Sequence, residues 1–300
     1  MNTAGAPRSI EQYLKALREA LAGEDPSLIQ DALYDAEEYL RAEIGANPGR
    51  SESDVLELIA STYGAPAEVA EAYRTTEKQV RAALAPPKPK QHRTALGRFF
   101  GVYAESRTWT ALFYSLLAIG TGIVYFTVTV TGLSLSLGLA ILIIGIPFFL
   151  LFVGFTRVLA LAEGRLVEGL LGQRMPRRPT YSQKGKPVME RIKGMLTDRR
   201  TWTTMLYFLL MLPLGILYFT VAVTALAVSV GLMVAPIIEL LSDSGRLHLD
   251  GVYINPMLPA IVAVPLGILL LTTMLHLIRG IGTMHGGIAK HLLVAQSRDD

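Results

Sequence analysis

The sequence predicts an all-α protein: a small cytoplasmic helical domain followed by a four-helix transmembrane bundle built from a tandem two-helix repeat. Three observations lead there. First, the 300 residues are 51% hydrophobic and only 18% charged, too apolar for an ordinary soluble domain and too charged for a chain wholly in lipid. Second, the apolar residues cluster in blocks 111–155, 204–238 and 257–275, which hold no Asp, Glu, Lys or Arg. About 20 apolar residues span a bilayer core, and each block reaches roughly that length or more. Third, sliding the chain against itself by 93 residues aligns Arg107–Leu139 with Arg200–Leu232 at 19 of 33 positions. Arg, Trp, Tyr, Thr and Gly stay in register, which chance likeness between greasy helices does not produce.

Residues 1–79 predict the cytoplasmic domain. Ser9 and Gln12 make a capping box ahead of Tyr13, Leu14, Leu17 and Leu21 at helical spacing. Pro26 opens a second helix whose buried stripe runs through Leu28, Ile29, Leu33, Ala36, Leu40 and Ile44. Ser51 caps a third helix through Val55, Leu58 and Ile59; Gly64 and Pro66 separate it from a fourth through Val69 and Tyr73. The acidic run of the second helix reads first as a solvated face. Its functional alternative is a partner-docking face carried by Asp31, Asp35 and Glu38, for a basic partner or for the chain's own basic collar.

Charge orients the rest. Residues 1–80 carry net −8, while 81–110 and 156–203 together carry +12. The positive-inside bias places those basic segments in the cytoplasm and the acidic loop 239–256 outside. No signal-peptide h-region precedes the helices, so the head stays cytoplasmic. The expected localisation is the bacterial inner membrane, multi-pass, with both termini cytoplasmic. Residues 80–97 form a linker stiffened by Pro86, Pro87 and Pro89. Membrane repeat 1 spans 98–178, a basic loop 179–190, and repeat 2 191–295.

Four spans are expected near 111–131, 135–155, 204–230 and 257–278, with a turn near Gly132. Arg157–Leu171 aligns with Arg279–Leu293. Its alternation of Leu, Val, Arg and Glu predicts an amphipathic helix along the membrane surface. Arg107, Trp109, Arg200 and Trp202 are candidate headgroup and interface anchors, and Tyr125 and Tyr218, sixteen residues beyond each Trp, read by default as the opposite aromatic belt. A polar intramembrane pocket is the alternative, lined by Tyr125, Thr127, Thr131, Tyr218, Thr220 and Thr224. Pro147, Pro213 and Pro265 are expected to kink their helices.

Chemistry is bounded by absence. With no cysteine, disulfides, thiolate metal sites and thiol catalysis are excluded. Nucleotide-binding, metalloprotease and hydrolase motifs are missing. The five histidines lack metal-ligand spacing, and the uncharged blocks offer no ionisable residue of the kind a coupled transporter uses. The expectation is no enzyme, no cofactor and no direct nucleic-acid binding, since a head of net −8 repels phosphate.

The segments YLKALREAL (13–21), DALYDAEEYL (31–40) and YGAPAEVAEAYR (63–74) resemble the HAAS family of bacterial cytoplasmic signalling domains. That resemblance implies a partner effector of the PadR-like regulator kind. LPLGILYFTVAVT (212–224), Gly-Ile-Pro (145–147) and the Leu-Leu pairs at 170–171 and 292–293 resemble the Putative sensor membrane domain of bacterial signalling proteins. In that family the module commonly adjoins histidine kinases; this sequence departs by ending soon after the repeat. The combined expectation is a membrane regulatory protein relaying a lipid or intramembrane-ligand signal through the head to a separate effector. The alternative is a carrier or scaffold for lipids or other hydrophobic molecules.

Overall fold

The structure is a computed structural model that describes residues 7–84, 94–142, 144–179, 188–241, 247–249, 252–254 and 257–294. The proline linker and the acidic residues between the last two spans lie largely outside these residues.

The head is built from α1 (Ile10–Ala20), α2 (Pro26–Ala46), α3 (Glu52–Thr62) and α4 (Pro66–Leu84). Each start has a chemical reason. Ser9 Oγ accepts the Gln12 amide and Gln12 Oε1 accepts the Arg8 amide; Asp25 caps α2, with Pro26 at its first position; Ser51 Oγ accepts the Asp54 amide; Glu68 Oε2 accepts the Ala65 amide. Gly64 takes φ +106°, which ends α3, and its carbonyl accepts the Tyr13 hydroxyl at 2.8 Å. Tyr13, Leu17, Leu21, Leu33, Leu40, Val55 and Ile59 form the core, and Tyr39 stacks on Tyr63.

Short α5 (Ala95–Phe100) and a 3₁₀ turn lead into α6 (Ser106–Leu139). The chain then reverses into α7 (Gly145–Leu166), which ends in a π turn at Val167–Leu171. After α8 (Val188–Thr197) comes α9 (Arg199–Leu241), then strands β1 (Leu247–Leu249) and β2 (Val252–Ile254) paired as an antiparallel hairpin, then α10 (Met257–Leu293). Four helices are long and apolar enough to cross a membrane: Ser106–Leu142, Gly145–Leu171, Arg199–Ile238 and Ile261–Leu293. α6 and α9 form the central pair, α10 packs on α9, and α7 on α6.

The contacts recur in pairs related by the repeat, 93 residues apart in its first helix and 122 in its second. A Cβ added to Gly122 would lie 2.6 Å from Met211 O, and one on Gly215 2.4 Å from Ala118 O. Trp109 Nε1 donates to Tyr103 O and Trp202 Nε1 to Leu196 O; Arg157 pairs with Asp198 while Arg279 pairs with Glu105. Reciprocal contacts of this kind describe two units facing each other across a twofold axis. At Gly122 and Gly215 the two central backbones touch. Gly122→Ala is therefore expected to destabilise the bundle by roughly 1–3 kcal/mol through overpacking, read as a lower unfolding midpoint in detergent. Gly138→Ala, with nothing within 4 Å of its added Cβ, should leave the midpoint unchanged.

Three expectations need correction. The first reversal is not near Gly132: α6 continues to Leu139, and Gly132 is a packing residue whose added Cβ would fall 2.1 Å from the Phe152 ring. The second helix is accordingly 145–166 rather than 135–155. Residues 157–171 do not form a surface helix. They extend α7 into the bundle, with Glu163, Val167 and Leu171 buried. Pro147 sits in the first turn of α7, where no helix bond is lost, whereas Pro213 and Pro265 lie inside α9 and α10.

Candidate functional site

Tyr114 and Tyr125 on α6 are eleven residues apart, three turns along one helix face, and Tyr207 and Tyr218 repeat the arrangement on α9. Helical side chains lean toward the N-terminus, so the second tyrosine of each pair tilts back toward the first. α7 and α10 bring Glu163 and His285 into the space between, both 0% exposed. Tyr114 Oη and Tyr207 Oη lie 2.6 and 2.8 Å from Glu163 Oε1, and Tyr125 Oη lies 2.9 Å from Oε2. On the other side, His285 Nε2 is 2.6 Å from Tyr114 Oη and 3.0 Å from Tyr207 Oη, and Nδ1 is 3.4 Å from Tyr218 Oη. Phe208 stacks on Tyr125 and, with Met211, Ala118, Ala222 and Ile278, encloses the cluster in apolar side chains.

Each hydroxyl has one proton to donate, and this count dictates the pattern. With Glu163 accepting from all three of its tyrosines, the Tyr114 and Tyr207 oxygens are left to accept from His285 Nε2–H. The carboxylate and the imidazole are thus bridged by the same two hydroxyls in an interior shielded from water.

Glu163 leads directly to the head. Five residues on, in the π turn, Glu168 Oε1 accepts from Arg177 Nη2 at 2.9 Å. Gly172, at φ +69°, ends the helix and turns the chain back, burying Met175 against the bundle core. Arg174 then reaches the head: its guanidinium donates to Asp31 Oδ2 at 2.9 Å and to Glu77 Oε1 at 3.2 Å. Asp31 Oδ1 accepts the backbone amides of Arg177 and Arg178, both at 2.8 Å. Gln30 donates to Arg178 O and accepts from Arg200; Arg178 pairs with Asp35. A second tie runs from Lys290 on α10 to Asp25 at 2.6 Å. Burial raises the Asp25 carboxyl, but the Lys290 ammonium and the Ser27 amide outweigh it and hold the group below its ordinary value. That tie is complete at neutral pH and weakens only as acid carries the pH down through the lowered value.

The predicted site residues separate. Tyr125 and Tyr218 do not form a belt facing the far interface; they are buried in the polar centre. Thr127, Thr131, Thr220 and Thr224 are exposed on the outside of the bundle, because they fall on the helix faces opposite the tyrosines. Thr127 and Thr131 line an open groove of about 450 Å³ with Val128, Leu135, Phe148 and Phe155. Trp109 and Trp202 are each 49% exposed with their ring N–H groups satisfied by backbone. Arg107 is exposed, whereas Arg200 is half-buried beneath the head. Asp31 and Asp35 are not open to a separate partner, since the chain's own Arg174 and Arg178 occupy them; Glu38 remains exposed. Among the described residues, no group of three or more His, Asp or Glu is placed to hold a metal.

Glu163, His285, Tyr114 and Tyr207 were missed by sequence reasoning, although a signal existed. The shift that aligns Arg157 with Arg279 also places Glu163 on His285, and the 93-residue shift places Tyr114 on Tyr207.

A family model described as Putative sensor matches residues 114–293. The chain belongs to the Putative sensor family. The match covers all six residues of the polar centre, and the sensor's head lies outside it. No curated protein and no solved structure matches the chain.

Proposed function

We propose that this sensor converts a change in the polar centre of its bundle into release or capture of the head, which acts on a separate cytoplasmic effector and catalyses no reaction itself. The observation that carries the reading is the short covalent path between the two sites. Glu163 lies eleven residues before Arg174, the guanidinium held by Asp31. α7 ends in a π turn within that path, a feature that often marks functional sites in helices. The positive-inside bias of the basic collar supports a cytoplasmic head in a bacterial inner membrane. The head's HAAS-like sequence supports a PadR-like regulator as effector, with Asp31 and Asp35 available to it only in the undocked state.

The test compares three forms captured from native membranes: the full chain, Arg174→Gln, which frees the acidic face without altering it, and a chain lacking residues 1–80. A transcription regulator retained more by Arg174→Gln than by the wild type, and lost with the head, is the expected result. The open groove along Thr127, Thr131 and Phe155 favours a second reading, carriage of hydrophobic molecules. Transfer of labelled lipid between leaflets by the purified chain, with no head-dependent partner, would support that reading over the relay.

A further inference from the structure

The first turn of α9 borders a narrow crevice on the rim of the bundle nearest the head, lined by Thr156, Arg157, Pro179, Arg200, Thr201 and Thr204. Thr201 Oγ1 is buried, the residue being 6% exposed, and has no hydrogen-bond partner among the described residues. It is the third residue of α9, so no carbonyl of the helix stands four residues back to accept its proton. Asp198 takes the Arg200 and Thr201 amides and holds one Arg157 nitrogen at 3.4 Å. The Arg200 guanidinium donates to Gln30 Oε1 at 2.8 Å, so two guanidiniums stand against the one carboxylate of Asp198 beside an unsatisfied hydroxyl, which leaves the crevice positive.

The corresponding place in the other half is different. Arg279, Arg107 and Thr108 match Arg157, Arg200 and Thr201, and Thr108 Oγ1 is also unpartnered. There, however, Ile278 and Ala111 replace Thr156 and Thr204, and an added Cβ on Gly282 would lie only 3.0 Å from Ala111 and 3.2 Å from Leu171. One half is closed with apolar side chains, while the other keeps a polar opening.

We propose that this opening binds a phosphate group. Its interior, about 20 Å³, admits a single oxygen and not a ring or an acyl chain. Two guanidiniums and a hydroxyl are the donor set an oxyanion takes, and planar guanidinium suits phosphate geometry. The rest of the ligand stays outside, beside the exposed Trp202 at the membrane interface. The phosphodiester of an anionic phospholipid and free phosphate share this chemistry. The proposal is independent of the relay reading.

The test uses the full chain in a glycoside detergent with two probes, phosphatidylglycerol and inorganic phosphate, and diacylglycerol as the phosphate-free control. Wild type is expected to retain phosphatidylglycerol over diacylglycerol. Thr201→Val should weaken retention about tenfold, the size of one charged hydrogen bond, and the Arg157→Gln, Arg200→Gln pair further. Thr108→Val should match wild type. Displacement of the lipid by inorganic phosphate would assign the site to free phosphate, and retention despite phosphate would assign it to the headgroup; both uphold the proposal. Equal retention of diacylglycerol, or equal weakening by Thr108→Val and Thr201→Val, would overturn it. Thr201→Val preserves shape, so it decides the matter should the arginine variants fail to fold.

Discussion

Glu163→Ala is expected to cost the bundle roughly 3–5 kcal/mol, the range seen when one member of a buried charged or hydrogen-bonded set is removed. The physical cause is stranded donors. Tyr114 and Tyr207 can turn to His285 Nε2, but one nitrogen cannot satisfy both, and among the described residues the Tyr125 hydroxyl bonds to Glu163 alone. Each donor left unpaired in an apolar interior costs about 1–3 kcal/mol. Glu163→Gln keeps the oxygen that accepts two hydroxyls and should cost about 1–2 kcal/mol. Unfolding midpoints in detergent measure both. Glu38→Ala, on the exposed head surface, should not shift the midpoint. A Glu163→Ala midpoint equal to wild type would mean that the polar centre contributes nothing to bundle packing.

The second large effect is expected at the head. Asp31→Ala removes the acceptor for two backbone amides and one guanidinium, and Arg174 is left beside Glu77 in a site where its side chain is 13% exposed. The loss of about 3–5 kcal/mol at this contact leaves the head on the Lys290–Asp25 tie, the Gln30 hydrogen bonds and the exposed Arg178–Asp35 pair, the last worth at most about 1 kcal/mol. The head should therefore undock while its own core, which does not include Asp31, stays folded. Trypsin cleavage after Arg174 and Arg177 reads the outcome: rapid in Asp31→Ala, slow in wild type. Salt separates the two kinds of contact. Screening weakens the exposed Arg178–Asp35 pair but leaves the buried Asp31 cluster largely intact, so wild type should remain resistant at high ionic strength.

Much of this architecture is legible in the sequence because it rests on local signals. Ser9, Asp25–Pro26 and Ser51 start helices by side-chain chemistry that acts within three residues, and the length of each apolar block sets the number of spans. The register between Arg107 and Arg200 announces the paired contacts of α6 and α9. The polar centre was hidden for the opposite reason. Arg157, Glu163, Arg165 and Glu168 alternate with leucines and resemble an interfacial helix, and only the packing of α7 against α6 and α9 shows that Glu163 alone turns inward. Gly132 misled in the same way. A glycine in an apolar run reads as a turn, but here it makes room for Phe152. The docked head was half visible: the charge asymmetry names the basic collar as a candidate partner for the acidic face. The choice of Asp31 over Glu38 depends on the fold-back after Gly172, which no local pattern encodes.

In the proposed relay the state of Glu163 governs the docking of the head. The amides of Arg177 and Arg178 report it directly, since their hydrogen bonds are to Asp31. Hydrogen–deuterium exchange of the 174–179 segment should therefore be measured for wild type, Glu163→Gln and Asp31→Ala in lipid bilayers. Glu163→Gln, although its bundle remains folded, should lose protection at these amides toward the Asp31→Ala level. Protection identical to wild type in Glu163→Gln, with Asp31→Ala fully exchanged, would contradict the relay.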